Sequence, residues 1–425
     1  MVCVSYAVRG RKVKAVVFTL GCKVNECESD ALIAGLIKRG YTVSDKLEPA
    51  DLYIVNTCAV TAEAEKKSRQ MASRIKKLNP NAKIIFTGCA VEKNPKSFAE
   101  KSADYLVTGT FNKSKILETL DAVGERVSPP CLEYEEMETP KTLRTRAFVK
   151  VQDGCNNFCS YCIIPYLRGR TRSRNPKNVI NEIKQTNPKE VVINGINLSA
   201  YDYNGLKLVD LIKSLSGLDT RIRLGSLEVR VIDDEFLSAL KNLKNFAPHF
   251  HLSLQSGSNA VLKSMNRHYT ADEFIEKVDL IRKYFKDAGI TTDIIVGFPT
   301  ETEENFKETI SLIDRVKFSD IHPFSFSPRQ GTVAYKMKDL PAETKKQRLA
   351  VLLEKKEQCK TDFVNSMKGK VLDFLFEELK DGYYQGYAEN YLRIYLKEFI
   401  PDGNIKKVKV IERYLDGALC ELQGE

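Results

Sequence analysis

The sequence predicts an α/β chain in three parts: a doubly wound parallel α/β domain, a full or partial (β/α) barrel, and a small all-β barrel. Three observations predict this. Apolar runs of strand length alternate with helical stretches over the first 125 residues. The same alternation resumes after a proline-containing break and continues to about residue 366. Past Gly369 the chain switches to short alternating runs broken by DG, PDGN and LDG turns. A chain of 425 residues has room for two to four domains, each with its own core.

In the first part, residues 12–125, the runs AVVFTL (15–20), LYIVN (52–56), KIIFTG (83–88) and YLVTG (105–109) read as buried strands of a parallel sheet. ESDALIAGLIKRG and AEAEKKSRQMASRIKKL between them read as helices ending near Gly or Asn-Pro. Residues 126–143 combine prolines, an acidic run and no periodicity, which suits a linker. In residues 144–366 the strand candidates after FVKVQDG are VVING (191–195), RIRLGSL (221–227), HFHLSLQS (249–256), TTDIIVGF (291–298) and IHPFSFS (321–327). Five or six such units place their chemistry at the C-terminal ends of the strands. A charged helix, 341–366, follows. Residues 367–425 form the small barrel, where Tyr383, Tyr384, Tyr387, Tyr391 and Tyr395 are candidates to stack on unpaired bases.

Net charge is +10, and its distribution is uneven. Residues 66–83 hold seven Lys or Arg and no acid, the pattern of a solvated helix face. Residues 141–174 hold eight against the single Asp153, whereas the last 59 residues carry nine basic and eleven acidic groups. The alternating Arg168, Arg170, Arg172 and Arg174 are candidate contacts for the phosphates of a polyanion. There are 11 Cys, no apolar export segment and no run of membrane-spanning length. Reduced thiols in the cytoplasm are the expectation, available for metal rather than disulfides.

Six of those thiols stand in two suggestive sets. Cys155, Cys159 and Cys162 lie in GCNNFCSYCIIPYLRGR, separated by three and two residues. Three thiolates so close suit a 4Fe–4S cluster with one iron left open, while zinc sites favour CxxC pairs. The spacing, with Tyr161 before the last Cys, resembles the signature of the radical S-adenosylmethionine (SAM) superfamily, whose open iron holds SAM. Cys22, Cys58 and Cys89 each follow one of the first three strands. In an open parallel sheet those carboxyl ends define the ligand crevice, so three thiols there can share a second cluster. Cys3, Cys27, Cys131, Cys359 and Cys420 read as structural, and His249 and His251 as satisfied core groups rather than a metal pair.

Further motifs carry a wider resemblance. TLGCKVNECESD, NTCAV, GCA, NGINLSAY, LGSLE, HLSLQSGS and DIIVGFPTETEENF occur in an order that resembles the methylthiotransferase family of radical SAM enzymes over essentially the whole chain. The resemblance implies an N-terminal α/β domain with an auxiliary cluster, a radical SAM barrel and a C-terminal TRAM domain. TLGCKVNECES and NTCAVTAEAEKKSRQ are most similar to the branch that modifies threonylcarbamoyladenosine next to the tRNA anticodon. The isopentenyladenosine branch shows YGCQMN, and the branch acting on a ribosomal-protein aspartate shows GCPKN. The implied cofactors are two 4Fe–4S clusters, on Cys155, Cys159, Cys162 and on Cys22, Cys58, Cys89, together with SAM. One cluster would split SAM to a deoxyadenosyl radical, and the other would supply sulfur. Motif matches make Tyr161, Asn197, Ser226, Glu228, Gln255, Ser256 and Arg267 candidate SAM contacts. A flavodoxin- or ferredoxin-like electron donor and tRNA are the implied partners, with the sulfur donor left open. Val229, where Pro often follows the Glu, and the net-acidic tail depart from the family pattern. A non-enzymatic Fe–S protein that binds RNA is the competing class.

Overall fold

The computed structural model describes residues 7–8, 11–100, 104–140, 145–398 and 405–423. Cys3, the first residue of the 144–366 segment and the PDGN turn lie outside the described residues. The first sheet has six parallel strands in the spatial order Thr42–Ser44, Lys14–Thr19, Leu52–Thr57, Lys83–Gly88, Leu106–Val107, Gly124–Glu125. Its alternating side chains feed two cores. Val17, Ile54 and Ile85 pack with Leu32 and Leu36 on one face, while Tyr53, Val55 and Phe86 pack with Met71 and Ile75 on the other. Helix Ala62–Leu78 covers that second face, with Thr61 accepting from Ala64 N at 3.1 Å as its cap. Strand order changes direction between Lys14–Thr19 and Leu52–Thr57, and such a switch point opens a ligand crevice at the carboxyl edge.

Helix Lys23–Lys38 is buried along most of its length because it serves two cores at once. Leu32, Ile33 and Leu36 face the first sheet, and Cys27 packs on Phe148 and Val192 of the next domain. That next domain is an open barrel of six parallel strands, and the partial form is the one realised. Arg146–Asp153, Glu190–Gly195 and Arg221–Leu224 pair in turn, and the third continues past Gly225 as Ser226–Leu227. There it changes partner to His249–Leu252, followed by Gly289–Val296 and Asp320–Ser325. Capping boxes at Thr270/Glu273 and Thr302/Asn305 start two of the outer helices. The long helix Ala342–Met367 runs along the last strand, with Leu352 and Cys359 in the barrel's core. No helix among the described residues is long and apolar enough to cross a membrane.

The tail is a closed five-stranded barrel in the order Val371–Lys380, Tyr383–Ala388, Arg393–Leu396, Gly417–Leu422, Ile405–Tyr414. It seals the amino-terminal end of the larger barrel. Arg221 donates to Asp373 O at 2.8 Å, and Arg223 to Glu389 O at 2.9 Å and Ala388 O at 3.0 Å. This seal takes Tyr387 and Tyr391 out of the expected base-stacking set, and Tyr395 is buried within the tail. Tyr391 stacks on His249 at 4.3 Å and on Tyr387 at 4.5 Å, and Arg146 lies over Tyr387. Tyr395 is buried with its hydroxyl on Asp416, Tyr384 packs on Phe376, and Tyr383 sits among Tyr395 and Tyr414. The segment expected as a linker has no helix or strand among its described residues, yet it is a fastened strap. Tyr134 donates to Lys150 O at 2.7 Å, Glu135 accepts from Ser114 N and Oγ at 2.7 Å, and Glu136 binds Arg174.

Candidate cluster and cofactor site

Strand Arg146–Asp153 ends at Gly154, whose φ is +70° and where a Cβ would fall 2.0 Å from Arg170 O, so only glycine fits the turn. The chain then presents Cys155, Cys159 and Cys162 before the short helix Ile164–Arg168. Neighbouring segments fix this loop: Ser160 N donates to Met265 O at 3.0 Å, Ala334 N to Ser160 O at 2.7 Å, and the Asn266 side chain donates through Nδ2 to Asn157 O and Phe158 O. Polar hydrogens converge on its sulfurs. Arg267 approaches Cys159 Sγ at 3.3 Å, while Asn157 N and Asn197 Nδ2 approach Cys155 Sγ at 3.5 and 3.8 Å. Burial pushes the Cys162 thiol up to about 12 and raises that of Cys155.

Of the candidate SAM contacts, four gather around this loop. Asn197 and Glu228 line a cavity of about 470 Å³ together with Asn157, Ser199 and Arg230. Glu228 accepts from Asn157 and pairs with Arg267 at 3.3 Å. Tyr161 packs beside Phe298 and Phe326. Ser226 is exposed and in register with His251. Gln255 holds two strands by its backbone, accepting from Ile295 N and donating to Asp293 O at 2.9 Å each. Ser256 is a correction: it is fully buried, with its hydroxyl accepting from Ser258 N at 3.2 Å and facing Thr309.

The second cysteine set stands at the switch point. Cys22 caps helix Lys23–Lys38, Cys58 follows Leu52–Thr57, and Cys89 opens helix Cys89–Lys93. The loops press together closely enough that a Cβ on Gly21 would lie 3.0 Å from Cys58 Sγ. Asn25 pins the turn, donating to Leu20 O at 2.8 Å and Thr57 O at 3.0 Å, and Ser68 Oγ receives Cys58 N at 3.2 Å. Cys22 is exposed, while Cys58 and Cys89 are 4% and 3% exposed. Burial pushes Cys58 up to about 12, and raises Cys89 against the pull of Arg168 and Lys113.

Between the two sets lies an ionic hub that sequence reasoning missed, and it corrects the arginine series. Arg168, 1% exposed, donates to Glu28 Oε1 at 2.8 Å, Asp153 Oδ1 at 3.1 Å and Asn25 Oδ1 at 2.6 Å. Lys113 and Lys150 complete the charge around Glu28. Arg172 is spent on the carbonyls of Arg168 and Arg170, and Arg174 on Glu136 and Glu182. Of the four only Arg170 is exposed, lying over Phe158 at 4.6 Å. Arg168 Nε is buried without a partner, and its guanidinium acts directly on Cys89. An orphaned donor beside three thiols suits an anionic group with sulfur acceptors, as the donors on Cys155 and Cys159 do. His251 is satisfied through Thr291 and Asp293, whereas His249 reaches Thr291 through Nε2 and keeps a buried Nδ1 with no partner among the described residues, so the expectation of two satisfied core groups holds for His251 alone; no three His, Cys, Asp or Glu among the described residues form a single-ion site.

Comparison with known proteins agrees with this division. Residues 149–313 match the radical SAM superfamily, and residues 14–109 match the uncharacterised protein family UPF0004. The threonylcarbamoyladenosine tRNA methylthiotransferase MtaB of Bacillus subtilis is 37% identical over 426 residues, 93% of each chain. The tRNA-2-methylthio-N(6)-dimethylallyladenosine synthase of a Thermoanaerobacter species is 36% identical, covering 87% of this chain and 83% of that one. Among solved structures, the radical SAM methyltransferase TsrM of Kitasatospora setae shares the fold at a TM-score of 0.51 and 13% identity, over 74% of this chain and 75% of that chain. With full-length relatives above 30% identity, and both cysteine sets inside the matched segments, the chain belongs to the radical SAM methylthiotransferase family.

Proposed function

We propose that this enzyme adds a methylthio group at carbon 2 of the threonylcarbamoyladenosine beside the anticodon of tRNA, with SAM and two 4Fe–4S clusters as cofactors. The observation that carries the substrate is the 37–39% identity, over 92–93% of this chain, to relatives named for that nucleoside. Cys155, Cys159 and Cys162 would hold one cluster, and Cys22, Cys58 and Cys89 the other. When bound, the clusters and SAM supply the radical chemistry that opens an unactivated aromatic C–H and the sulfur that takes its place.

The chain's own residues do the rest. Arg267 and Asn197 donate toward the sulfurs of the loop, Glu228 and Asn197 border the cavity that would take SAM, and Tyr161 packs beside Phe298 and Phe326 next to Cys162. Ser226 and Gln255 stand at neighbouring strand ends and complete that set. The Glu28–Arg168 hub holds both cysteine sets on one rigid seam, which keeps the target base within reach of each. Arg170 is the exposed cation of its series for tRNA phosphates. A one-electron donor of the flavodoxin or ferredoxin class and a cytoplasmic location complete the reading.

The test is anaerobic reconstitution with dithionite, SAM and tRNA carrying threonylcarbamoyladenosine, followed by nucleoside mass spectrometry. A mass gain of one methylthio group on that nucleoside is expected. The same gain on isopentenyladenosine alone overturns the substrate assignment. Formation of no 5′-deoxyadenosine overturns the enzyme reading in favour of an RNA-binding Fe–S protein.

A further inference from the structure

The larger barrel is open on one side. Its edges are the first strand, Arg146–Asp153, whose outer side carries only the two-residue Arg172–Ser173, and the last, Asp320–Ser325. The hub on Glu28 fastens the N-terminal domain to the first edge through Lys150, a residue of that strand. A separate set of contacts fastens it to the last edge. The segment 327–334 leaves that strand and touches both cysteine-bearing regions. Ser327 Oγ receives Ala62 N, at the start of the helix after Cys58, at 3.4 Å. Arg329 Nη2 donates to Glu65 Oε2 in the first turn of the same helix. On the other side, Ala334 N donates to Ser160 O, between Cys159 and Cys162, at 2.7 Å. Gly331 packs toward the residue after Cys162, where a Cβ would lie 3.4 Å from Ile163 Cδ1. Thr332 donates N and Oγ1 to Arg329 O at 3.1 and 2.7 Å, so the segment is a closed turn.

Glu65 is the centre of these contacts. It accepts from Arg69 at 2.7 Å, from Lys93 at 2.8 Å and from Arg329, so one carboxylate holds three cations. Two of its neighbours lead straight to the strand-end cysteines. Lys93 ends the short helix that Cys89 opens, and Ser68, on the same helix as Glu65, receives Cys58 N. Arg329 is 4% exposed, and its Nε is buried with no partner among the described residues. Packing alone does not account for a guanidinium there, because an unmade buried hydrogen bond carries a cost that an apolar side chain avoids. The pairing with Glu65 is what the position uses.

We infer that Glu65 and Arg329 are positioning residues: they clamp the last strand's loop to the strand-end cysteine set and fix its separation from the loop set, as the Glu28 hub does at the first strand. This rests on the reading above, in which both sets serve one target base. Fastened at both edges of the open barrel, the N-terminal domain has no hinge to swing on. Freed at one edge, it can pivot about the other. Loss of the clamp should therefore spare the loop set, which its own barrel holds, and disturb the registration between the two sets on which transfer to the base depends.

The first measurement needs neither cluster. Hydrogen exchange of the full chain before reconstitution follows the amides of segments 62–65 and 327–334. Glu65→Gln should speed both by about tenfold, the worth of one charge-assisted hydrogen bond, with strand Arg146–Asp153 unchanged. Arg329→Gln, which leaves Glu65 two cations, should have the same effect to a lesser degree, and Arg329→Lys should restore most of the protection. After reconstitution, Glu65→Gln and Arg329→Gln should form 5′-deoxyadenosine near the wild-type rate. They should yield roughly tenfold to a hundredfold less methylthiolated nucleoside for each deoxyadenosine made. Unchanged exchange or an unchanged product ratio in both variants overturns the clamp. Loss of both products in step marks a folding role only and overturns it too. A wild-type chain that makes 5′-deoxyadenosine but no methylthiolated nucleoside overturns the function reading instead.

Discussion

The two cysteine sets reach one seam by different routes. Cys155, Cys159 and Cys162 occupy a single loop whose shape is fixed by hydrogen bonds to Met265 O, from Ala334 N and from the Asn266 side chain, all in the same domain. Cys22, Cys58 and Cys89 are delivered by three strands, and their spacing is set by the sheet and by Asn25 and Ser68. The loop set is a local object that its own barrel holds. The strand-end set is a topological object, and it also leans on Arg168 from the neighbouring domain. Damage should therefore travel from the loop's domain to the strand-end set more readily than the reverse.

The largest expected effect is at the loop. Cys159→Ala should reduce 5′-deoxyadenosine formation to background after fresh reconstitution, since it removes one of the three thiolates proposed to hold the cluster. Near wild-type turnover would break the assignment of that set. Next is Cys58→Ala, which should keep reductive SAM cleavage, lose methylthiolation, and show iron content lower by about half, one of two similar Cys-bound clusters. Both products measured in one reaction check this, and retained methylthiolation would return the strand-end cysteines to packing.

Arg168→Ala tests the shared seam. It leaves Glu28 and Asp153 buried with fewer cations, and removing one partner of a buried ionic group costs about 3–5 kcal/mol, measurable by urea unfolding. The same hub has an acid limit. Although burial raises it, Lys150 and Arg168 hold Asp153 down at about 2, against about 3.9 for a free Asp. Its stabilisation is present above roughly pH 4 and fades as pH falls toward 2, so Asp153→Asn should flatten the stability profile there. The smallest effect is Arg170→Ala, which should leave stability within about 0.5 kcal/mol and lower the salt slope of tRNA binding by about 0.7–0.9, one phosphate contact.

Much of this was legible in the sequence because it depends on local pattern. The cysteine spacing names its loop, and the long strands announce themselves as apolar runs. Thr42–Ser44 and Gly124–Glu125, three and two residues long, are too short to carry a pattern. The arginine series misled because part of its cancelling charge is distant: Glu28 lies 140 positions before Arg168 and Glu136 38 before Arg174, adding to the nearer Asp153 and Glu182. A window of charge around the motif cannot see either acid. Tyr387 and Tyr391 misled for a related reason, since local pattern does not say that another domain covers them. A buried acid in the first helix, ECESD, was the available hint that cations had to come from elsewhere.

The seal between the tail and the larger barrel has a consequence for how this enzyme can be cut or diversified. Arg221 and Arg223 spend guanidinium hydrogens on tail carbonyls, Arg146 pairs with Glu377, and Tyr391 roofs His249. A chain ending at Met367 would strip partners from three arginines at once and open the interior of the barrel to bulk water. The C-terminal piece is thus a structural floor of the larger barrel, and it cannot be exchanged between relatives as a free cassette.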